Sequence, residues 1–473
     1  MFAQIVNFFL LPIYTRFLTL EDYGTMALLA ILSTVLVPIA CLGLSPAIFK
    51  FFREPDIDQK QLLSNAVLTT GLSSVIMLII TIYFDNNIAS VLLSSETKDS
   101  ILLIRLTLFT AALMSISTMF LTSLRANRQP IATVVITGIS LSIQVSTSII
   151  LVVFWNMGIL GVTISVLSGA MISFMLLVIV SRRSISFKLD RNLLIKMFSF
   201  GLYHVPSQII TLLNIHTGQY ILKNLVSVRG LGLYSIANRF MMPVTLIGAS
   251  IQYAHTAIFF QILKEDDKPK DTLRSIAIYF VTGISFLWVA ASLWGAEVLR
   301  IMTTPSFHEA YVYIGPIGII PVLLLLYTFL ASGIDSGKDL RPYLIVNIVG
   351  LITLIGASYV FIDRFGILGA ILGAVLSRLV MIFIAVRFAQ NRLRIEYNYL
   401  ILFLIILIGC LFSIAPIHIE NYSLIYRLLI NTILTLLYPM LCLLVISIYK
   451  SERYRLIRGS LHLKGSLIAR LKK

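Results

Sequence analysis

A chain of 473 residues that is 58% hydrophobic and 12% charged has too little polar surface to be a soluble domain. Its formal charge of +16 does not mark a nucleic-acid binder, because the basic residues sit at the ends of apolar segments, where they orient helices in a membrane. Cys41, Cys410 and Cys442 lie within apolar segments, have no metal or redox spacing, and read as packing residues.

Apolar runs of about 20 residues, the length that crosses a bilayer core, follow one another from end to end. They predict spans at 1–17, 23–49, 61–84, 100–124, 129–154, 158–181, 192–223, 231–256, 272–296, 309–332, 342–362, 366–388, 398–416 and 424–449. In lipid a helix satisfies every backbone group within one segment, so these are helices. The period-two alternation of an outer-membrane barrel is missing. Met1 leads straight into an apolar segment without a basic flank or a small-residue cleavage site, so no cleavable signal peptide is expected.

The second half repeats the first. Gly158-Ile159-Leu160-Gly161 returns 208 residues later as Gly366-Ile367-Leu368-Gly369, and Leu18-Thr19-Leu20-x-x-x-Gly24 returns at the same offset as Val226-Ser227-Val228-x-x-x-Gly232. Phe120-Leu121-x-Ser123 returns as Phe329-Leu330-x-Ser332, one residue out of step. The expected organisation is an all-α polytopic membrane protein of about fourteen transmembrane helices. A six-helix lobe at 1–190, a second at 191–396, an extra helix pair at 397–449 and a basic tail at 450–473 make it up. Six is an even number, so both lobes enter the membrane from one side as parallel repeats about an axis along its normal. A duplicated bundle of this kind suits a transporter. The stretch Arg191–Gln208 has no counterpart in the first half; the first helix is either truly short or its natural start lies upstream of Met1, and the absence of a basic anchor favours the second.

Placing the N-terminus in the cytoplasm puts Lys50, Arg53, Lys60, Arg125, Arg128, Arg182, Arg183 and most later basic residues inside. The opposite face receives Arg16, Lys98, Lys223, Arg229, Arg300, Arg364 and Arg427. Both termini are then cytoplasmic. The tail carries eight basic residues against Glu452, interspersed with leucines; it reads as an interfacial helix on anionic membrane lipids, or as a solvated tail.

No phosphate-cradling loop, zinc-protease helix or nucleophile elbow occurs, and the outer loops at 85–99 and 297–308 are short, so a transporter rather than an enzyme is expected, with no cofactor and no metal. Polar residues within the spans are the candidates, since burying them in lipid is costly. Arg239, beside Asn238, lies in the eighth span and Arg378 near the middle of the twelfth; Arg105 is close enough to an end to snorkel. In the seventh span His204, Gln208, Thr211, Asn214 and Gly218 recur at helical spacing as one polar stripe. The first span repeats the idea with Gln4, Asn7 and Tyr14. Such stripes line a water-filled cavity or make interhelical hydrogen bonds of about 0.6 kcal/mol each; their recurrence in both halves favours the cavity. Acids are kept to the span ends, as with Glu21, Asp22, Glu309 and Asp335. A cavity whose deep charges are guanidinium groups favours an anionic cargo such as a phosphate or pyrophosphate.

At Pro12-x-x-Thr15-Arg16-Phe17-Leu18-Thr19-Leu20-Glu21-Asp22-Tyr23-Gly24 the chain resembles the polysaccharide transport family. These are Wzx-type lipid-linked oligosaccharide flippases of the superfamily (MOP) that includes the MATE multidrug exporters and the lipid II flippase. Ala40-Cys41-Leu42-Gly43-Leu44-Ser45-Pro46-Ala47 is similar to that family's small-residue ending of helix 2, and Arg125-Ala126-Asn127-Arg128-Gln129-Pro130 to its basic helix 4–5 loop. The resemblance implies two six-helix lobes forming a V around a cationic cavity, with the last helix pair packed outside. It also implies a cargo of undecaprenyl-pyrophosphate-linked repeat units for O-antigen, capsule or exopolysaccharide, moved from the inner to the outer leaflet of the bacterial cytoplasmic membrane. A polysaccharide polymerase and chain-length regulator are the partners such a pathway would bring. Arg16 matches the family's arginine before the first turn and reads as a gate or structural residue first, a ligand second.

The site expected from these readings is Arg239 and Arg378 for the diphosphate, with Asn7, Arg16, His204, Gln208, Thr211, Asn214 and Asn238 for the remaining polar groups. Pro206, Pro243, Pro316 and Pro321 are the expected bending points. The alternatives are a MATE-like antiporter for cationic drugs, which lacks its deep acid here, and a polytopic glycosyltransferase or polysaccharide polymerase, which lacks an outer catalytic loop. The sugar, any coupling ion and the oligomeric state are not encoded legibly.

Overall fold

The helices follow the apolar segments. The computed structural model describes residues 8–94, 97–186, 189–266, 268–337 and 341–448, and no strand occurs among them. In the N-terminal half the helices are α1 (Leu11–Phe17), α2 (Leu20–Cys41), α3 (Leu44–Phe51), α4 (Gln59–Tyr83), α5 (Asp85–Leu93), α6 (Lys98–Ala126), α7 (Pro130–Ile149), α8 (Gly158–Ser181) and α9 (Arg191–Leu225). There follow α10 (Val228–Phe240), α11 (Met242–Glu265), α12 (Pro269–Met302), α13 (Tyr311–Ala331), α14 (Arg341–Phe365), α15 (Ile367–Arg392), α16 (Tyr399–Ser413), α17 (Ala415–His418) and α18 (Leu424–Ile448). Twelve stretches among the described residues are long and apolar enough to cross a membrane, and the protein is a multi-pass, all-α membrane protein. The predicted spans outside that set are the first and the seventh. Gln4 and Asn7 of the first lie outside the described residues, as does the tail. The seventh is α9, a single helix of 35 residues, long enough to cross but diluted by its polar stripe and basic start.

The structure differs from the sequence reading at several boundaries. The span expected at 23–49 is two helices, α2 and α3, because Leu42 and Gly43 turn left-handed with φ of 49° and 72°. A Cβ on Gly43 would lie 2.1 Å from the carbonyl oxygen of Gly201 on α9, so the break lets two backbones touch. The span expected at 231–256 is divided at Met241, with Pro243 in the first turn of α11, where a missing N–H costs nothing. Helix α5 occupies what reads as an outer loop.

Helix starts are set locally. The Thr19 hydroxyl accepts from the Asp22 N–H at 3.1 Å and the Asp22 carboxylate accepts from the Thr19 N–H at 2.8 Å, a reciprocal cap for α2. Ser227, the repeat equivalent of Thr19, accepts from the Gly230 N–H at 3.0 Å at the start of α10. Gly158, the first residue of α8, and Gly366, just before α15, both take positive φ, 53° and 56°. The recurring Gly-Ile-Leu-Gly motif therefore marks the same left-handed entry into the last span of each repeat.

By contacts the chain forms two compact units, whose main bodies are Phe9–Gly232 and the residues from Leu233 onward. In the first, α9 packs on α2 and α3, and a core of Leu44, Ile48, Phe51, Leu62, Met119 and Met197 fills the space beneath. Fully buried Asn65 of α4 fixes the entry to α9: its side-chain amide donates to the Asp190 carbonyl at 2.9 Å and its side-chain oxygen accepts the Asp190 N–H at 3.0 Å. In the second unit α14 and α15 pair closely and α13 packs on α15. Charges tie α18 to α12: Arg427 Nε lies 3.0 Å from Glu297 Oε1, and Arg300 reaches both Glu297 and Glu420 at 3.2 Å.

Side-chain distribution is that of a protein solvated by lipid. Leu72, Ile79, Ile131, Phe403 and Met440 are all more than half exposed, while Ser115, Ser165, Ser285 and Ser358 are wholly buried, the reverse of a water-soluble core. Many buried hydroxyls bond within their own helix. Those of Thr107, Ser115 and Ser292 donate to the carbonyl four residues back at 2.7 Å, and that of Ser140 at 2.8 Å.

Candidate functional site

Arg378 is the best-defined polar centre within the spans. It is half-buried on α15, with Nη1 3.6 Å from the Met381 sulfur one turn on. Its charge interacts with the phenol of Tyr327 on α13, which interacts in turn with Asp335 just beyond that helix. Asp335 Oδ1 accepts the hydroxyl of Tyr343, from α14, at 2.9 Å. Tyr327 and Tyr343 both pack on a small apolar cluster that contains Met381, Ala331, Val346 and Ala385. Three consecutive helices of one unit thus gather a guanidinium, two phenols and a carboxylate. Burial pushes the Asp335 carboxyl above the usual carboxylate range, and the Tyr343 hydrogen bond opposes that shift.

The other predicted residues are placed more separately. Arg239 is half-buried in the last turn of α10 and engaged within the protein, and its neighbour Asn238 is exposed. Along α9, the His204 ring stands edge-on to Phe200 at 4.9 Å and Gln208 is half-buried. Thr211 is exposed, its hydroxyl turned back to the Ser207 carbonyl at 2.9 Å, and buried Asn214 donates to the Ile210 carbonyl at 3.0 Å. The stripe belongs to the unit ending at Gly232, whereas Arg239 and Arg378 belong to the other. Arg16 is exposed at the end of α1. Tyr14, from the first stripe, is buried and shares a 2.7 Å hydrogen bond with Ser148, so it is an interhelical contact. Arg105 pairs with buried Asp85 at 2.7 Å while its own side chain stays half exposed. Among the described residues no His, Cys, Asp and Glu cluster is arranged to hold a metal.

Sequence reasoning missed the Tyr327–Asp335–Tyr343 surroundings of Arg378, because no periodicity links residues on three helices. It also passed over α11. There Gln252 donates to the Thr328 hydroxyl at 2.9 Å, and one turn on His255 is buried with its ring edge-on to Phe329 at 4.7 Å. Gln252, His255 and Thr256 stand at i, i+3 and i+4 on an apolar helix, the same signal that exposes the α9 stripe.

A family described as polysaccharide biosynthesis protein matches residues 13–310, more than half of the chain. The chain belongs to that family. Its fold is shared with solved members of the MOP superfamily. An inward-facing MATE-family multidrug resistance transporter superposes with a TM-score of 0.68 at 15% identity, over 82% of this chain and 94% of that one. The lipid II flippase MurJ, in an inward closed conformation, gives 0.68 at 14% identity over 92% and 96%. A MOP superfamily transporter from Pyrococcus furiosus, described by the reverse polarity of its binding pocket, gives 0.60 at 15% identity over 83% and 92%. At these identities the likeness is one of fold. No curated protein matches by sequence.

Proposed function

We propose that this protein flips undecaprenyl-pyrophosphate-linked oligosaccharide repeat units from the inner to the outer leaflet of the bacterial cytoplasmic membrane, with both termini cytoplasmic. Membership of a polysaccharide biosynthesis family supports a glycan cargo, and a fold shared with the lipid II flippase suits a lipid-linked one. The observation that carries the reading is the sign of the deep charge. Arg378 lies mid-helix on α15, while every described Asp or Glu in a span lies within two turns of a helix end. A guanidinium deep in a span binds a diphosphate through paired N–H donors, whereas a cation exporter needs a carboxylate at such depth.

In this reading Arg378 and Arg239 neutralise the diphosphate, with Tyr327 and Tyr343 adding hydroxyl donors near the first. Asn238, Asn7, Arg16 and the α9 residues His204, Gln208, Thr211 and Asn214 contact the sugars or line their route. The six-helix lobes at 1–190 and 191–396, with the pair at 397–449 outside them, form part of the same proposal. Cargo moves by alternating access.

The test follows lipid-linked oligosaccharides by leaflet in a deletion strain complemented with variants. Accumulation of complete repeat units on the inner leaflet, rescued by the wild-type chain, with that rescue at least about tenfold weaker for Arg378→Ala, supports the reading. Normal leaflet distribution in a strain without redundant flippases overturns it.

A further inference from the structure

The second unit carries a basic cavity at the start of one span and just ahead of another. Lys268, Lys270, Asp271, Arg274, Arg394 and Glu396 surround a volume of about 500 Å³ at the start of α12. Among the described lining residues four cations stand beside two carboxylates.

Both walls are fixed by the chain itself. On one side Asp266 accepts the Lys268 N–H at 2.8 Å and the Thr272 hydroxyl at 2.7 Å, clamping the loop to the first turn of α12. On the other, the connection from α15 to α16 alternates. Ile395 and Tyr397 are buried, and Arg394 and Glu396 face outward. Gln390 holds Ile395 through both backbone groups, at 2.8 and 3.1 Å, and the Tyr397 hydroxyl donates to the Phe329 carbonyl at 2.9 Å. The basic side chains thus project from anchored backbone.

The cavity also borders the ends of two spans. Both walls lead directly into spans, at Pro269 and at Tyr399. Below it, Leu400, Phe403, Leu407 and Leu411 form one exposed apolar line along α16, suited to an acyl chain. We propose that this cavity binds a phosphate group, carried by a membrane lipid headgroup or free in solution. The site is independent of the cargo proposed above.

The test uses the purified full-length chain and native mass spectrometry, with phosphatidylglycerol, phosphatidylcholine and inorganic pyrophosphate as probes. The triple variant K268Q/K270Q/R394Q is compared with K60Q/R125Q/R128Q, which removes the same charge from the other unit. All six positions are exposed or at a helix end, and thermal melting checks that each variant folds. Wild-type and control protein are expected to retain phosphatidylglycerol over phosphatidylcholine, and the triple variant to lose about tenfold or more of that retention. Loss of lipid retention alone assigns a headgroup site; parallel loss of pyrophosphate binding assigns the phosphate group from either source. Equal retention by the triple variant and wild type, or equal loss in the control, overturns the site.

Discussion

Gly24 and Gly232, equivalent positions in the two sequence repeats, each lie against the backbone of the other's repeat. A Cβ on Gly24 would fall 2.1 Å from the Val228 carbonyl oxygen, and a Cβ on Gly232 would fall 2.0 Å from that of Leu20. Leu20 and Val228 are themselves repeat equivalents. The contact is therefore reciprocal, residue for residue. It is also why the Leu-x-x-x-Gly spacing survives in both copies while the residues between have diverged. Gly24→Ala and Gly232→Ala are each expected to lower stability by about 1–3 kcal/mol through overpacking. Because both open the same crossing, the double variant should cost less than their sum. Thermal unfolding in detergent measures all three.

Asn65 holds the start of α9 with two hydrogen bonds to Asp190. Asn65→Ala leaves the partly buried Asp190 carbonyl and N–H without their partners, a loss of about 1–3 kcal/mol. Asn65→Asp keeps the acceptor and abandons the donor, so it should fail as well. Limited proteolysis near residue 190 reads the loosening directly.

The α12–α18 ion pairs give a third expectation. Glu297 is buried, accepts from Arg300 and forms an ion pair with Arg427. Arg427→Met leaves Glu297 with one cation and should destabilise by about 1–3 kcal/mol; Glu297→Gln combined with Arg427→Met should recover part of it. A double-mutant cycle scored by melting temperature, with hydrogen exchange in α18 as the local readout, checks the coupling.

Asp335 supplies a pH dependence. Burial raises its carboxyl above the unfolded value of about 3.9, so the folded state holds the proton more tightly than the unfolded chain. Its favourable contribution is complete below the unfolded value and is lost as pH rises through the folded one. Asp335→Asn should therefore be more stable than wild type at neutral pH, with the gap closing as pH falls through that window. Tyr343→Phe, which removes the opposing hydrogen bond, should move the wild-type loss to higher pH. Unfolding followed across pH 3 to about 7 tests both.

Most of the architecture was legible in order and length, because lipid forces each apolar run into a helix and the two repeats announce themselves. What escaped were features made by contact. The break at Leu42–Gly43 depends on Gly201, which lies far away in sequence, and the division at Met241 lies inside one apolar run. Of the candidate site, the deep arginines were visible as charges out of place, but the company Arg378 keeps was not. Asp335 looks like an ordinary end-of-helix acid until Tyr343 and Tyr327 are folded around it. Tyr14 and Thr211 show the converse, polar residues at cavity-like spacing whose hydroxyls are occupied by neighbouring protein.

The self-directed hydroxyls of the buried serines and threonines bear on how such a bundle moves. A hydroxyl that bonds to its own helix four residues back travels with that helix, and no bond to a neighbour has to break when the two slide or tilt. Thr107, Ser115, Ser140 and Ser292 therefore present small, already satisfied surfaces. Helices meeting through them are held by shape and dispersion, which re-form at each new register. The friction of rearrangement is left to the few true crosslinks, Tyr14 with Ser148 and Gln252 with Thr328 among them, and these are the contacts whose rupture should set its pace.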